Sequence, residues 1–280
     1  TFPVSLTKIG IFTFRNCPIE EIEIPENVTS IANQAFLSCT NLKTIRFKNR
    51  IAVDNQFFDG CNSLSVYQVE DNDVIIGKND CVYSNNGLYL YAVPFAKKLT
   101  DLSGVTHIRT RAFYQNNAID SLIVPATVTN IMMTAFGYSS LKKIIIEGYV
   151  TFENLIFISS KLETIIFKNR FGISSQLFYG ASSLKTIVVE HDSLVAIANN
   201  GSISSSLIGK GTGFIYVPSN LVEDYKVAAN WSTYAAQIKP INVADTLPDI
   251  STVAENDLYK IGEVYWKAEL VDSVLTWVEI

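Results

Sequence analysis

Hydrophobic and polar positions along this chain recur in blocks of about twenty-two residues. The stretch Val28-Thr29-Ser30-Ile31, Ala35-Phe36, Cys39, Leu42, Ile45, Phe47 returns as Val128-Thr129-Asn130-Ile131, Ala135-Phe136, Ser139, Leu141, Ile144, Ile146, and a proline, Pro25 or Pro125, precedes each. One column sets the register: Phe14, Phe36, Phe58, Phe113, Phe136, Phe157 and Phe178 lie 21 to 23 residues apart, except for a gap of 55 between Phe58 and Phe113. Compact residues follow three places later, namely Cys17, Cys39, Cys61, Asn116, Ser139, Ser160 and Ala181. Each block ends in an alternating triplet such as Ile45-Arg46-Phe47 or Ile165-Ile166-Phe167, the mark of a short strand with two side chains in and one out.

A unit of this size has too little apolar surface to fold alone, and stacking buries each unit against its neighbours. The pattern therefore predicts a solenoid of seven coils. Successive strands pair in parallel about 4.8 Å apart, and the phenylalanines form one continuous stack.

Five segments are expected: repeats over 1–69, a hairpin insertion over 70–101, repeats over 102–217, a helical cap over 218–241 and a small β-strand tail over 242–280. Within the insertion, Cys81-Val82-Tyr83 and Leu88-Tyr89-Leu90-Tyr91 flank an Asn86-Gly87 turn. It reads as a surface decoration or as a lateral binding lip. Asn220 with Glu223 suggests a capping box, Leu221, Val222, Tyr225 and Ala229 share one helical face, and Pro240 would end the cap. Residues 242–255 read as a linker before three short strands, a segment marginal alone that should dock on the cap, pair with another chain or be part of a longer assembly. Residue 1 is Thr, and Pro3 lies 22 residues before Pro25, so the register predicts a truncated or processed product beginning at the end of an earlier strand.

The repeated pattern Pro-x-x-Val-Thr-x-Ile, Ala-Phe, Cys-x-x-Leu-x-x-Ile-x-Ile resembles the BspA-like leucine-rich repeats of bacterial and some protist surface proteins. The resemblance covers residues 1–217. It implies a leucine-rich repeat solenoid, mainly β with irregular connections, built on a parallel sheet; the short capping helix and β tail complete the expected fold. It further implies a non-enzymatic cell-surface or secreted protein that mediates adhesion or protein recognition, with a protein or surface glycan as ligand and no catalytic residue to carry over. The later coils depart from the family at Asn116, Ser139, Ser160 and Ala181, where Cys is frequent. A second reading makes the chain part of a phage-tail or surface assembly, attached through residues 242–280.

Composition narrows the chemistry. The 280 residues are 48% hydrophobic and 18% charged, which is ample for a core. A net charge of −5 argues against a nucleic-acid partner, and no apolar run is long enough to span a membrane. No cofactor and no metal site is expected. Cys17, Cys39 and Cys61 stand 22 apart and should stack as buried free thiols, since three ligands in a straight ladder do not converge on a metal. His191-Asp192-Ser193 are chain neighbours on opposite faces and read as a solvated turn, not a triad. His107 reads as an outward, solvated residue. Gly209-Lys210-Gly211-Thr212-Gly213 runs into a strand, whereas a phosphate loop runs into a helix. Glu20, Glu21 and Glu23 lie along one strand and cannot face each other across a cleft as glycosidase acids must.

The candidate binding feature is the outward residue of each triplet. Glu23, Arg46 and Gln68 are polar, whereas Ile123, Ile145, Ile166, Val188 and Tyr216 form an apolar column rimmed by Ser121, Lys143, Thr164 and Thr186. Two readings stand: β-branched residues that suit a strand whatever they face, or a ribbon that docks a partner or a second copy. Self-association through the ribbon or through residues 242–280 belongs to the second.

Overall fold

The computed structural model describes residues 2–51, 53–172, 174, 176–197 and 203–280. The chain winds as a right-through stack of coils with two parallel sheets on different sides. The broad sheet starts with Glu21–Ile24, Thr44–Phe47 and Val66–Val69. After a break it resumes with Ser121–Val124, Lys143–Ile146, Thr164–Phe167, Thr186–Val189, Phe214–Pro218, Ile238–Val243 and Leu258–Ile261, all parallel. Val264–Val271 and Val274–Glu279 complete it antiparallel. A narrow sheet is made by the Val-Thr-x-Ile stretches, for instance Asn130–Ile131 between His107–Ile108 and Val150–Phe152.

The coils of Phe14, Phe36, Phe113, Phe136 and Phe157 turn between the sheets at two residues in the left-handed region, whereas Gly60 and Gly180 take the second place in the coils of Phe58 and Phe178. Gln34 (φ 59°) and Ser38 (φ 58°) flank Ala35-Phe36, and Arg111 with Gln115 and Thr134 with Tyr138 repeat the arrangement. None of these is glycine, so the conformation is held against its intrinsic cost of roughly 1 kcal/mol or more per residue. Rungs to the next coil do the holding: Gln34 donates to Gln56 O at 2.8 Å, and Ser38 to Asp59 O at 2.8 Å. The compact residue after Phe caps the corner. Cys39 Sγ donates to Phe14 O (2.8 Å) and Cys61 Sγ to Phe36 O (3.1 Å), each reaching back one coil. Ser139 and Ser160 bond instead to their own coil, at Phe136 O and Phe157 O. All four cysteines are free thiols; Cys39, Cys61 and Cys81 are buried and Cys17 is half-buried.

The phenylalanine column forms two stacks, not one. Phe14, Phe36 and Phe58 have ring centroids 5.0 and 5.2 Å apart, and Phe113, Phe136, Phe157 and Phe178 follow at 5.0, 5.7 and 6.1 Å. No ring contact joins Phe58 to Phe113, because the insertion supplies a shortened coil between them. Its strand Tyr89–Ala92 joins the narrow sheet beside His107–Ile108 and carries the hairpin partners Cys81–Ser84 and Ile75–Lys78. Phe95 then takes the place of the compact residue rather than of a ring: Ala96 donates to Leu64 O, and Asn117 to Phe95 O. Buried Asn55 seals the junction, its Nδ2 reaching Val93 O (3.0 Å) and Ala112 O (3.1 Å) while its Oδ1 accepts from Tyr67 Oη (2.8 Å).

The C-terminal cap is shorter than the sequence suggests. The α-helix spans Val222–Val227, and no side chain caps its N-terminus, so the Asn220–Glu223 box does not form. Glu223 pairs instead with Lys226 at 2.8 Å. Ile238–Val243, which includes Pro240, is a strand of the broad sheet and not the end of a helix. Tyr225 and Trp231 carry this segment into the main core, bonding Val195 through Tyr225 Oη (3.0 Å) and Trp231 Nε1 (2.8 Å).

Phe136 sits between two parallel rings and is fully buried. Phe136→Ala should therefore lower stability by about 3–5 kcal/mol, read as a shift of the urea midpoint. Burial also pushes the Cys61 and Cys81 thiols up to about 12. The neutral thiol is the folded form, so this contribution is complete below the ordinary value of 9.0 and is lost as pH rises toward 12. A disulfide reagent at pH 8 should label Cys17 in the folded protein and the other three cysteines only after unfolding.

Candidate functional site: the outer face of the broad sheet

The outer face changes character along the stack. Over the first strands it is polar and cross-linked by ion pairs one coil apart: Lys43–Glu20 (2.9 Å), Arg46–Glu21 (2.7 Å) and Lys48–Glu23 (3.2 Å). Lys43 holds the Glu20 carboxyl below the usual carboxylate range. Arg46 Nε also donates to Gln68 Oε1 at 2.7 Å. These carboxylates are solvated members of a charge ladder and not an opposed acid pair, and such exposed pairs contribute little to stability.

Beyond the break the face becomes apolar, and there the expected ribbon needs correction. Ile123 is 52% exposed and Ile145 is half-buried, but Ile166 (1%), Val188 (0%) and Tyr216 (0%) are covered. The cover is the chain's own tail. The sheet curls after Ile238–Val243, so that Leu258, Tyr265 and Ile280 pack with Ile241 on Ile166, Val188 and Tyr216 as a second core outside the coils. These three residues point outward from the solenoid, as alternation requires, and still do not form a free surface. Sequence reasoning missed the cover. Its signal was the apolar content of Leu258, Tyr265, Trp266 and Ile280 in a segment too short to have a core of its own.

Polar contacts fix the tail in register. Lys260 pairs with Glu190 at 2.5 Å, Lys168 with Glu263 at 2.7 Å, and Tyr216 Oη donates to Asn256 O at 3.0 Å. Lys168 is held above its ordinary pKa by Glu263, and Glu263 below its own by Lys168. Burial pushes the Tyr216 and Tyr265 hydroxyls well up. Phe214 lies between two ammonium groups, Lys239 at 5.0 Å and Lys267 at 5.8 Å from its ring centre. The tail is thus seated on its own chain.

The other sequence candidates assemble no reaction centre. His191 meets Asp192 Oδ1 (3.5 Å) and Ser193 Oγ (3.1 Å) through one and the same nitrogen, Nδ1. A triad needs the acid on one ring nitrogen and the nucleophile on the other. His107 is half-buried against the Tyr89 ring, 4.5 Å between centres, and is not the solvated residue expected. Gly209 and Gly213 are required by close backbone approach: a Cβ there would fall 2.5 Å from Ser204 Cα and 2.6 Å from Lys185 O, and the segment continues into the strand Phe214–Pro218. Burial raises the Asp59 pKa, while Gln34 donates to its carboxylate at 3.0 Å within the junction between coils. Among the described residues no group of His, Cys, Asp and Glu is placed to hold a metal, and no helix is long and apolar enough to cross a membrane.

A family model described as a BspA type leucine rich repeat region matches the chain in six copies, over residues 1–89 and 89–201. No curated protein matches it. Among solved structures, the pneumococcal vaccine antigen PcpA is similar at 15% identity and a TM-score of 0.49, over 84% of this chain and 69% of that one. A leucine rich cell surface protein from Faecalibacterium prausnitzii is 19% identical with a TM-score of 0.40, over 67% and 70% respectively. A leucine-rich repeat protein from Bacteroides ovatus is 18% identical with a TM-score of 0.42, over 86% and 71%.

Removing the tail should expose the outer core. A chain ending at Val243 is expected to bind the dye ANS several-fold more strongly than the full chain. A double variant, Ile166→Ser with Val188→Ser, should return the truncated chain toward the full-length signal.

Proposed function

The chain belongs to the BspA-type leucine-rich repeat family, and from that premise we propose that it is a non-catalytic recognition solenoid displayed at a cell surface or secreted, and that it acts in adhesion. The ligand, a protein or a surface glycan, lies on the outer face of the broad sheet between Glu21 and Ile145. One observation carries the placement: the tail closes the face from Ile166 onward, whereas Glu23, Arg46, Gln68 and Ile123 stay open to solvent or half-open. The open stretch offers a charged ladder beside exposed aliphatic side chains, a combination suited to protein recognition. Ile123 and Ile145 are what remains of the expected ribbon; Ile166, Val188 and Tyr216 serve the tail. Leu258, Tyr265 and Ile280 rest on the same chain, which supports the recognition reading ahead of an attachment element for a larger assembly.

The test is a panel of immobilised matrix proteins and mucin-type glycans. The full chain should be retained by at least one member. Arg46→Glu combined with Ile145→Glu should weaken that binding by tenfold or more, and Tyr179→Ser, in the turn row away from the broad sheet, should leave it unchanged. Failure of every panel member to retain the protein, or equal binding by the sheet-face variant, would refute the reading.

A further inference from the structure

The outer face of the narrow sheet carries a charge without a counter-charge. In the Val-Thr-x-Ile stretches the place after Ile is Ala32 in one coil and Met132 in another, but Arg109 in the coil that follows the insertion. Ile108 is buried in the core, and alternation turns His107 and Arg109 outward. Arg109 is half-buried, yet its guanidinium makes no ion pair or hydrogen bond among the described residues. Two rings hold it instead: its central carbon lies 5.5 Å from the Tyr91 centroid and 6.0 Å from that of Tyr89. Two carboxylates of this region are committed to other partners. Asp54 pairs with Arg111 at 2.8 Å, and Glu153 Oε2 accepts from Met133 N at 2.8 Å. A cation that has given up part of its water and gained no anion is costly, and a ligand anion would offset the cost.

Further hydrogen-bonding groups without partners stand beside it. The insertion's strand Tyr89–Ala92 pairs Tyr89 with His107 and Leu90 with Ile108, which sets Tyr91 next to Arg109. The Tyr89 and His107 rings lie 4.5 Å apart. Thr106 Oγ1 donates to Leu88 O at 3.2 Å, so His107 Nδ1, 2.8 Å from that oxygen, donates to it and leaves Nε2 as an acceptor. Neither tyrosine hydroxyl nor this Nε2 meets a partner among the described residues. Asn130, opposite His107, turns its amide away to Thr151 Oγ1 at 3.0 Å. The backbone has little to add, because His107–Ile108 is paired with Tyr89–Ala92 on one side and Asn130–Ile131 on the other.

We propose that Arg109, Tyr89, Tyr91 and His107 form a binding site for a carboxylate-bearing sugar, a uronic acid or sialic acid unit of a glycan. The planar guanidinium takes the carboxylate through two parallel N–H donors. The tyrosine hydroxyls give to or accept from the sugar hydroxyls, and His107 Nε2 accepts from one. Only side chains are on offer here, which suits a polyol and not an extended acidic peptide, whose backbone would seek a strand edge. The site is built jointly by the insertion and the coil after it. It lies on the other sheet from the face between Glu21 and Ile145 and does not rest on the reading of that face.

Two probes separate the sources of the acidic sugar: a hyaluronan tetrasaccharide, which carries glucuronic acid, and sialyllactose. Titrated into the isotope-labelled full chain, one of them should bind saturably with a Kd below about 1 mM and move the side-chain resonances of His107 and Arg109. Lactose, without a carboxylate, should bind at least tenfold more weakly. Arg109→Gln should weaken binding tenfold or more at unchanged Tm. Tyr89→Phe with Tyr91→Phe, which keeps both rings and removes the hydroxyls, should weaken it threefold or more. Arg46→Glu with Ile145→Glu should leave it intact, so the two surfaces are read separately. The proposal is overturned by no binding of either acidic probe at about 5 mM, by equal binding of lactose, or by equal binding to the Arg109→Gln or the paired Tyr→Phe chain. Resonance shifts confined to other residues, loss of binding in the sheet-face variant, or tighter binding of a blocked tetraglutamate peptide would overturn it as well.

Discussion

A coil of about two dozen residues has no interior of its own, so every coil here depends on the backbone rungs that its neighbour presents. Those rungs hold non-glycine residues such as Gln34, Ser38, Arg111 and Tyr138 in left-handed geometry at the corners. The corner is thus a property of the pair and not of the residue. The buried compact side chain inside it follows from the same constraint. It must be small, and it adds a side-chain donor to a phenylalanine carbonyl that already accepts one backbone N–H, as Phe36 O does from Cys39. Cys39 and Cys61 meet that need with a weak thiol donor reaching one coil back, whereas Ser139 and Ser160 meet it within their own coil. The difference between the thiol and hydroxyl coils is therefore one of geometry more than of chemistry.

Much of this was legible from the chain alone. Phe14, Phe36, Phe58, Phe113, Phe136, Phe157 and Phe178 could be aligned because a stacked interior repeats in sequence what it repeats in space. The shortened coil was not legible. It puts Phe95 where other coils have Cys or Ser, and its strand Tyr89–Ala92 serves the narrow sheet and a hairpin at once. Spacing identifies a coil only when the coil has the standard length, so one stack was expected where two exist. The cap failed for a related reason. The helical pattern around Leu221 and Tyr225 is real, but Ile238-Lys239-Pro240-Ile241 is equally compatible with a strand, and the sheet waiting beside it decides.

The candidate site shows the limit most clearly. Alternation correctly sends Ile123, Ile145, Ile166, Val188 and Tyr216 outward, and their apolar character was plain. What covers them depends on contacts between residues far apart in sequence, such as Lys260 with Glu190 or Lys168 with Glu263. No local period records such a contact. In hindsight the two signals belong together: an outward column that changes from Glu23, Arg46 and Gln68 to aliphatic residues, and a terminal segment with apolar faces and no core of its own. A sheet face turns apolar where something rests on it.

The same economy explains why the open face ends where it does. Ile280 lines a cleft together with Thr164 and Lys143. Strands nearer the break stay uncovered, and Ile145 marks the boundary as a half-buried residue. The break itself comes from the opposite end, where residues 98–101 pack beside the strand Ser121–Val124 without pairing into the broad sheet. Two independent elaborations of a regular stack, one in the middle and one at the C-terminal side, thus enclose a short stretch of Ser121–Ile145. Within it, Ile123 is exposed and Ile145 half-buried. Regular repeats give every coil the same outer surface in principle. Here the irregular segments differentiate the surfaces, covering Ile166, Val188 and Tyr216 and leaving Ile123 exposed.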